Sequence, residues 1–344
     1  MALWMVRAGK EGSQEATAIE KNVIVLGWRE LGDLSGVKSK DDLAALLRRA
    51  YPDAKPNTTA NYIGQIWAFV SRIQVKDWVV LPLKTRSAIA VGEVISGYEY
   101  RTDLGDLVRH TRRVKWIKSD LPRTAFEQDL LYSFGAFMTV CKIKRNDAEA
   151  RVHAIVEGKP APVPLSSQDE EIETGETKSI ELLDVERVAA DQIQKVIARR
   201  YKGHKLADLV DSVLRAQGYV THVSPPGADG GVDILAGSGP MGFDAPRVCV
   251  QVKSSDAPAD VGVMRELRGT MEAHQAEHGL LVCWGGFKAS VLREAATAYF
   301  KMRLWDQGDL LQQIVANYDR FPESMQAELP LKRIWALALE DETE

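Results

Sequence analysis

GGVDILA (residues 230–236) and RVCVQVKSS (residues 247–255) decide the fold of the second half of this chain. Both segments are predicted to be strands, because Val, Ile and Leu dominate them. Side chains alternate across a strand, so Asp233 shares a face with Leu235, and Gln251 shares a face with Lys253. The Gly- and Pro-rich segment between the two strands predicts a hairpin connection. Pairing of the strands would bring together an acid, an amide and an ammonium group, which are costly to bury unless paired or used.

Such a group of side chains is suited to metal-dependent hydrolysis of a phosphodiester. Asp233 would offer a carboxylate to Mg²⁺, while Gln251 and the backbone carbonyl of Val252 would offer neutral oxygens. The metal would polarise the phosphate and activate a water, and Lys253 would orient that water or stabilise developing charge. The alternative is structural: Asp233 and Lys253 form a cross-strand ion pair on a half-exposed hairpin.

The glycines before the acid fit the same chemistry. Gly230 and Gly231 allow the backbone to approach a phosphate closely. Around this hairpin the periodicity predicts helices at 186–200, 204–217, 263–276 and 290–301, strands at 219–224 and 278–284, and a strand with a closing helix at 303–318. The second half is therefore predicted to be an α/β domain with a central mixed sheet flanked by helices.

Residues 201–336 resemble the Mrr-type restriction endonuclease domain, a branch of the PD-(D/E)xK nuclease superfamily. The matching segments occur in the family's order and spacing: LADLVDSVLRAQGY, PPGADGGVDILAG, RVCVQVKSS, VMRELRGTM, GLLVCWGGF and RLWDQGDLL. The resemblance implies a restriction-endonuclease-like fold and a Mg²⁺-dependent DNA endonuclease, with Mn²⁺ able to substitute. It also implies that Asp233 binds the metal and that Gln251 and Lys253 complete the site.

One departure concerns the first helix of this domain. The family has a Phe-Glu pair there, and the Glu assists metal binding, but this chain has Leu206 and Ala207. Asp208 and Asp211 are the candidate additional acids, although helical periodicity points both away from the buried stripe. The number of acids that hold the metal is left open.

The first part of the chain has a different pattern. Strands are predicted at 22–28, 77–83, 88–100 and 112–117, with helices at 38–52 and 59–73. Dominant strands with inserted helices predict an α+β domain built on a small β-barrel. Residues 157–186 begin with prolines and continue with eight acids from Asp169 to Glu186, a composition typical of a solvated linker. The predicted domains are therefore 1–156 and 187–344.

Residues 1–120 resemble the PUA-like and EVE-like barrels of modification-dependent nucleases. The resemblance rests on WMVRAG, KDWVVLP, AIAVGEVISGYEY and HTRRVKW. It implies a domain that recognises DNA and accepts a flipped base in an aromatic pocket. Trp28, Tyr98 and Trp116 are the candidate pocket residues, although each such residue is more often a core aromatic.

The segment RHTRRVKWIK (109–118) carries five Lys or Arg residues and no acid. Alternation places Arg113 and Lys115 on one face of the strand and Arg112 on the other, with Trp116 beside it. Arg112, Arg113 and Lys115 are the candidate phosphate contacts. An ordinary solvated edge strand is the alternative.

Composition sets the remaining limits. The net charge of −4 argues against a uniformly basic nucleic-acid coat. The three cysteines lack metal-ligand spacing and are expected to be free thiols in a reducing cytoplasm. No apolar segment is long enough for a membrane helix, and the first residues are too polar for a signal peptide.

The expected function is restriction of foreign double-stranded DNA, plausibly DNA that carries a modified base. A homodimer is expected, because a double-strand cut needs two active sites. Two alternatives remain open: a nuclease-derived module that binds DNA without cutting, and an interaction protein whose barrel binds a protein or RNA partner.

Overall fold

The structure is a computed structural model that describes residues 1–136, 138–159, 162, 184–225, 227 and 231–335. The chain divides into two compact units, Met1–Ala189 and Ala190–Trp335. The predicted linker, residues 157–186, lies mostly outside the described residues. In the described part, no helix is both long and apolar enough to cross a bilayer.

Twelve α-helices and strands lie wholly within the described part of the first unit. They are β1 Leu3–Val6, α1 Glu15–Glu20, β2 Val23–Leu26, α2 Lys40–Ala50, α3 Pro56–Trp67, β3 Trp78–Pro82, β4 Ala88–Val94, β5 Glu99–Tyr100, β6 His110–Pro122, α4 Gln128–Phe134, β7 Val140–Ile143 and α5 Ala148–Val156.

The strands of this unit form one curled, mostly antiparallel sheet in the order β2-β6-β4-β3-β1-β7, with β5 also paired to β6. Strand β6 is long enough to pair with β2 through its first residues and with β4 through the rest. The register between β4 and β6 shifts twice, which bends the strands. Among the described strands, β2 and β7 lie at the two ends of this order and do not pair with each other. The sheet is therefore a curled half-barrel, and the PUA-like or EVE-like identity stays a prediction.

One glycine determines how closely β4 and β6 approach. A Cβ atom on Gly92 would lie 2.5 Å from Val114 Cγ1 and 2.8 Å from Trp116 Cε3. Only glycine avoids these overlaps, so the side chains of β6 pack directly on the β4 backbone.

Two predicted elements of this unit end earlier than expected. The helix predicted at 59–73 stops at Trp67 and continues as a π-helical turn, Ala68–Arg72. The strand predicted at 88–100 is interrupted after Val94, because the chain around Ser96 bonds the strand residues Arg112 and Arg113 instead.

Helix α6, Val185–Arg200, runs across the division, and ten further α-helices and strands follow it in the described part of the second unit. They are α7 His204–Ala216, β8 Val220–Val223, β9 Ile234–Ser238, β10 Asp244–Lys253, α8 Val261–Ala273, β11 His278–Cys283, α9 Ala289–Thr297, β12 Met302–Trp305, α10 Gln307–Asn317 and α11 Glu323–Glu328, of which α11 is a short terminal helix.

The second sheet has the order β12-β11-β10-β9-β8. Strands β10, β11 and β12 are parallel, whereas β8, β9 and β10 are antiparallel, so the predicted mixed sheet and the predicted hairpin are confirmed. Helices α7 and α10 share a core with Val250 and Val282 on one face. Helix α8 shares a core with Cys249 and Leu281 on the other face. The polar residues of β10 lie on this second face.

Candidate active site

The hairpin of β9 and β10 brings the predicted catalytic residues together. Ile234 pairs with Val250, and the Asp233 backbone N–H donates to the Val250 carbonyl at 2.9 Å. Asp233 thus lies opposite Gln251, just before β9 rather than inside the predicted strand. The alternation of β10 then places Asp233, Gln251 and Lys253 on the face that α8 covers.

The Asp233 carboxylate is oriented by the backbone of the neighbouring strand. Its Oδ2 accepts a hydrogen bond from the Val252 N–H at 2.7 Å. The N–H and C=O of one strand residue point to the same side, so the Val252 carbonyl points to the side of β10 on which its N–H meets Asp233. One carboxylate and one backbone carbonyl therefore lie at the same end of the hairpin.

Gln251 is buried, with 2% of its surface exposed. Its amide lies between the Val263 carbonyl of α8 and the Lys253 ammonium, each at 3.3 Å. Both neighbours are satisfied when the amide nitrogen donates to Val263 and the amide oxygen accepts from Lys253 Nζ. Gln251 therefore connects α8 to Lys253. The sequence carried no signal for Val263, because a backbone carbonyl acquires this role only when α8 packs on the sheet.

Lys253 is partly buried and forms no salt bridge with any residue in the described ranges. The cross-strand ion pair with Asp233, the structural alternative, is therefore not formed. Lys253 pairs in register with Cys283 of β11. Burial raises the pKa of the Cys283 thiol to about 12, and the Lys253 charge opposes that shift. All three cysteines are free and buried, as expected from the sequence.

The available donors fit a hard cation. A carboxylate and carbonyl oxygens are the ligands that Mg²⁺ accepts, whereas the buried thiols nearby suit softer metals. The set is small, since no group of three His, Cys, Asp or Glu residues that could hold a metal occurs among the residues described. Asp233 is the carboxylate at the end of the hairpin that carries Gln251 and Lys253.

The structure does not bring the two candidate additional acids, Asp208 and Asp211, to the predicted metal site. Helix α7 packs its apolar stripe, with Ala207 only 1% exposed, against the sheet face opposite Gln251. Asp211 lies 2.8 Å from the Arg215 guanidinium, and Asp208 is half exposed near His204. Neither acid reaches the Asp233 face, because the sheet lies between them.

Of the two predicted phosphate-contacting glycines, Gly230 lies outside the described residues. Gly231 has φ +87°, a conformation that favours glycine. A Cβ atom there would lie 3.4 Å from Thr270 Oγ1 and 4.0 Å from the Gln251 amide nitrogen position. Gly231 thus places the chain close to the buried amide.

The basic residues of β6 separate into three environments. Arg112 is 3% exposed and donates to the carbonyls of Phe69, Val70 and Ser96, so its assignment as a phosphate contact was wrong. Burial lowers the pKa of Arg112 to about 10, opposed by the Asp77 charge. Arg113 pairs with Glu99 at 2.9 Å, and Lys115 is exposed. The side chains of β6 alternate as predicted, but the face that carries Arg112 is buried inside the first unit instead of being open to DNA.

The candidate base-pocket aromatics also pack inside the first unit. Trp28 is 4% exposed and makes an edge contact with Tyr62, with ring centroids 5.1 Å apart. The Tyr98 hydroxyl binds His110 Nδ1 at 2.8 Å, and burial raises the pKa of Tyr98 to about 12. Trp116 donates its indole N–H to the Ala18 carbonyl. Trp28 lies in an apolar core of the first unit, and the partly buried Tyr98 and Trp116 pack against that core.

Two family models match the chain, one in each unit. Residues 198–314 match the family model Mrr_cat, described as "Restriction endonuclease". Residues 4–140 match a model described as "Domain of unknown function (DUF8426)". No curated protein matches the chain.

Solved structures similar to the chain include two restriction enzymes. The DNA modification-dependent restriction endonuclease AspBHI is 14% identical, with a TM-score of 0.33, over 90% of this chain and 79% of that one. The MspJI restriction endonuclease in complex with a 27-mer oligonucleotide is 14% identical, with a TM-score of 0.31, over 95% of this chain and 79% of that one.

The second unit is therefore a nuclease domain whose central hairpin carries an acid, an amide and an ammonium group. Residues 198–314 are thus a restriction endonuclease domain, which indicates a DNA-cleaving nuclease.

Proposed function

We propose that this chain is a Mg²⁺-dependent endonuclease that restricts DNA carrying a modified base. One observation carries the proposal: the hairpin brings Asp233, bonded to the Val252 N–H, to the same sheet face as Gln251 and Lys253, which contact each other, in a restriction endonuclease domain. An acid-containing donor set next to an ammonium is what phosphodiester hydrolysis requires.

The Asp233 carboxylate and the Val252 carbonyl would hold the metal. A metal held there would supply Lewis-acid chemistry, by polarising the scissile phosphate and making a bound water more acidic. With one firm carboxylate, the free protein should bind Mg²⁺ weakly, because this ion usually takes one or two carboxylates together with substrate phosphate oxygens. DNA binding and metal binding should therefore reinforce each other.

Lys253 would donate a hydrogen bond to the attacking water or to the charge that develops on the phosphate. The Gln251 amide oxygen would hold the ammonium in place, with α8 anchoring the amide through Val263. The sequence assigned Gln251 to the metal, and the 3.3 Å contact with Lys253 favours this positioning role instead.

A non-cleaving DNA-binding module is the second candidate. Ala207 stands where the family has a metal-assisting Glu, and Asp208 and Asp211 do not replace it. Loss of one carboxylate lowers the affinity for a divalent cation, so cleavage has to be measured rather than assumed.

Digestion of paired plasmids that differ only in methylation tests the proposal, with Mg²⁺ in one arm and EDTA in the other. We expect Mg²⁺-dependent cleavage of the methylated plasmid. Asp233→Asn should reduce the rate by at least roughly 100-fold, since the metal loses the carboxylate of Asp233.

The matched control is Asp208→Asn, which removes one exposed acid from α7 and should cut at the native rate. Equal cleavage by the Asp233→Asn protein would exclude the assigned site. Binding without cleavage under all metal conditions would support the non-cleaving alternative. Equal cleavage of the methylated and unmethylated plasmids would support the nuclease activity but contradict the proposed specificity for a modified base.

A further inference from the structure

Two exposed aromatic rings lie side by side in the turn between α9 and β12 of the second unit. Phe300 is 85% exposed and Tyr299 is 59% exposed. Their ring centroids are 5.3 Å apart with an interplanar angle of 90°, so the edge of one ring meets the other ring. Singly exposed apolar side chains are ordinary, whereas adjacent exposed rings mark a surface that contacts a ligand or a partner.

Backbone hydrogen bonds hold the turn that carries the two rings. The Lys301 and Met302 N–H groups donate to the Ala298 carbonyl at 2.8 and 2.9 Å. The Lys301 carbonyl accepts from the Gly279 N–H of β11, also at 2.9 Å. The turn is therefore attached to the central sheet, and its exposed side chains start from a fixed backbone. A preorganised surface loses less conformational freedom on binding than a flexible loop does.

Arg303 covers one face of Tyr299 and leaves Phe300 open. Its Cζ lies 3.9 Å from the Tyr299 ring centroid, and its guanidinium donates to the Tyr299 carbonyl. This cation–π contact holds the guanidinium at the surface beside the rings. Phe300, with 85% of its surface exposed, has room for a planar group on its ring face. The turn thus presents an open aromatic ring next to a fixed cation.

The charge around the open ring is positive. Lys301 and Arg303 are exposed, and neither forms a salt bridge with a residue in the ranges that the structure describes. Two acids of the adjoining segments, Glu277 and Glu294, are each paired with an arginine elsewhere in the unit. The surface therefore favours an anionic partner. It disfavours a second copy of itself, because the same cations would face each other across the contact.

The turn lies toward the opposite end of the sheet from the catalytic groups. Strands β10, β11 and β12 are parallel, and the register pairs Met302 with Gly279 and Lys253 with Cys283, four residues further along β11. A rise of about 3.3 Å per residue separates the two positions by roughly 13 Å along the strand. A ligand on Phe300 therefore need not touch the catalytic groups, and the surface is a site of its own.

We propose that this surface binds an unpaired stretch of DNA, with a base stacked on Phe300 and phosphates at Lys301 and Arg303. An aromatic ring among cations is the composition that single-stranded nucleic-acid sites use, since every base has a π face and every nucleotide a phosphate. The bases of a duplex are already stacked on one another, so a duplex would use only the cations. The inference rests on the proposed function and adds a site for single strands to it.

The test measures binding of the full chain in EDTA to three probes of one length: a thymine single strand, the same strand without bases, and a methylated duplex. Phe300→Ala should weaken binding to the thymine strand by roughly tenfold, the scale of one stacked base. Binding to the other two probes, and the rate of duplex cleavage with Mg²⁺, should stay native. The matched control is Phe243→Ala, which removes another exposed phenylalanine of the same unit and should bind all three probes like the native protein.

Further variants separate stacking from other contacts. Phe300→Trp should keep the affinity for the thymine strand because it keeps a ring, whereas Phe300→Leu should resemble Phe300→Ala. Lys301→Met should weaken binding to both single strands. It should also make the plot of log affinity against log salt shallower by about 0.7, the value for one phosphate of a single strand. Thermal melting of each variant checks that it is folded.

Native affinity of a folded Phe300→Ala protein for the thymine strand would overturn the inference. Native affinity of Phe300→Leu would also overturn it, since an apolar contact without stacking would then suffice. Loss of self-association in Phe300→Ala, measured by sedimentation, with strand binding unchanged would assign the surface to a second copy of the chain instead. A native protein that binds the duplex but no single strand would overturn the inference alone, whereas failure to bind any DNA would overturn the proposed function itself.

Discussion

At the residue scale, the buried amide of Gln251 decides how the candidate site is organised. A buried amide must satisfy both its donor and its acceptor, and here it does so with Val263 and Lys253. An amide oxygen committed to an ammonium is a poor metal ligand. The position of the Lys253 charge therefore depends on a residue that need not touch the metal.

Gln251→Leu tests this division of roles. We expect Mg²⁺ affinity of the DNA-free protein to remain native, because Asp233 and Val252 are unchanged. The cleavage rate should fall by about 10- to 100-fold even at saturating Mg²⁺, the usual cost of losing a supporting hydrogen bond in such a site.

Calorimetric Mg²⁺ titration beside single-turnover cleavage provides the two measurements. Gln251→Glu keeps an acceptor for Lys253 and should recover part of the rate, which distinguishes positioning from a general packing role. Weaker Mg²⁺ binding in Gln251→Leu, with cleavage restored by excess Mg²⁺, would show that Gln251 is a ligand.

At the element scale, strand β6 shows how one basic segment serves two purposes. Its inward residue Arg112 ties the strand to the turn Ala68–Arg72, whereas its outward residue Arg113 only pairs with Glu99 at the surface. Buried hydrogen bonds from a charged group contribute far more to stability than an exposed ion pair does.

Arg112→Ala should therefore destabilise the first unit by about 3 kcal/mol, because three carbonyls lose a charged donor. Arg113→Ala, the adjacent control, should cost no more than about 1 kcal/mol. Denaturant unfolding monitored by tryptophan fluorescence compares the two variants. Equal losses would mean that the Arg112 guanidinium does not support the turn.

At the scale of the whole molecule, one hairpin provides one set of catalytic groups, so a double-strand cut needs two chains or two binding events. Mixing tests the predicted homodimer. Asp233→Asn protein in excess over native protein should form mixed dimers that cut one strand, so nicked circular plasmid accumulates in place of linear plasmid.

Gel analysis of plasmid over time distinguishes the forms. Asp208→Asn protein in the same excess serves as the control, since it should cut both strands and yield linear plasmid. If the excess inactive protein merely slows the appearance of linear plasmid without increasing the nicked form, the active species is not a mixed dimer.

Much of the second unit followed from local pattern. Period-2 alternation and the Gly-rich connection predicted the β9–β10 hairpin, and 3.6-residue periodicity predicted α7 and α8, because each pattern reports which side faces a core. The shared face of Asp233, Gln251 and Lys253 followed from alternation together with that pairing.

Other features were decided only by the tertiary structure. Alternation separated Arg112 from Arg113, but local sequence does not state which face of β6 is covered, since that depends on a turn about 40 residues away. The same holds for Asp208 and Asp211, which an intervening sheet separates from the Asp233 face. The sequence by itself thus determined the hairpin and its polar face. The contacts of that face were decided by packing between distant segments, because hydrogen bonds act only over a few ångströms.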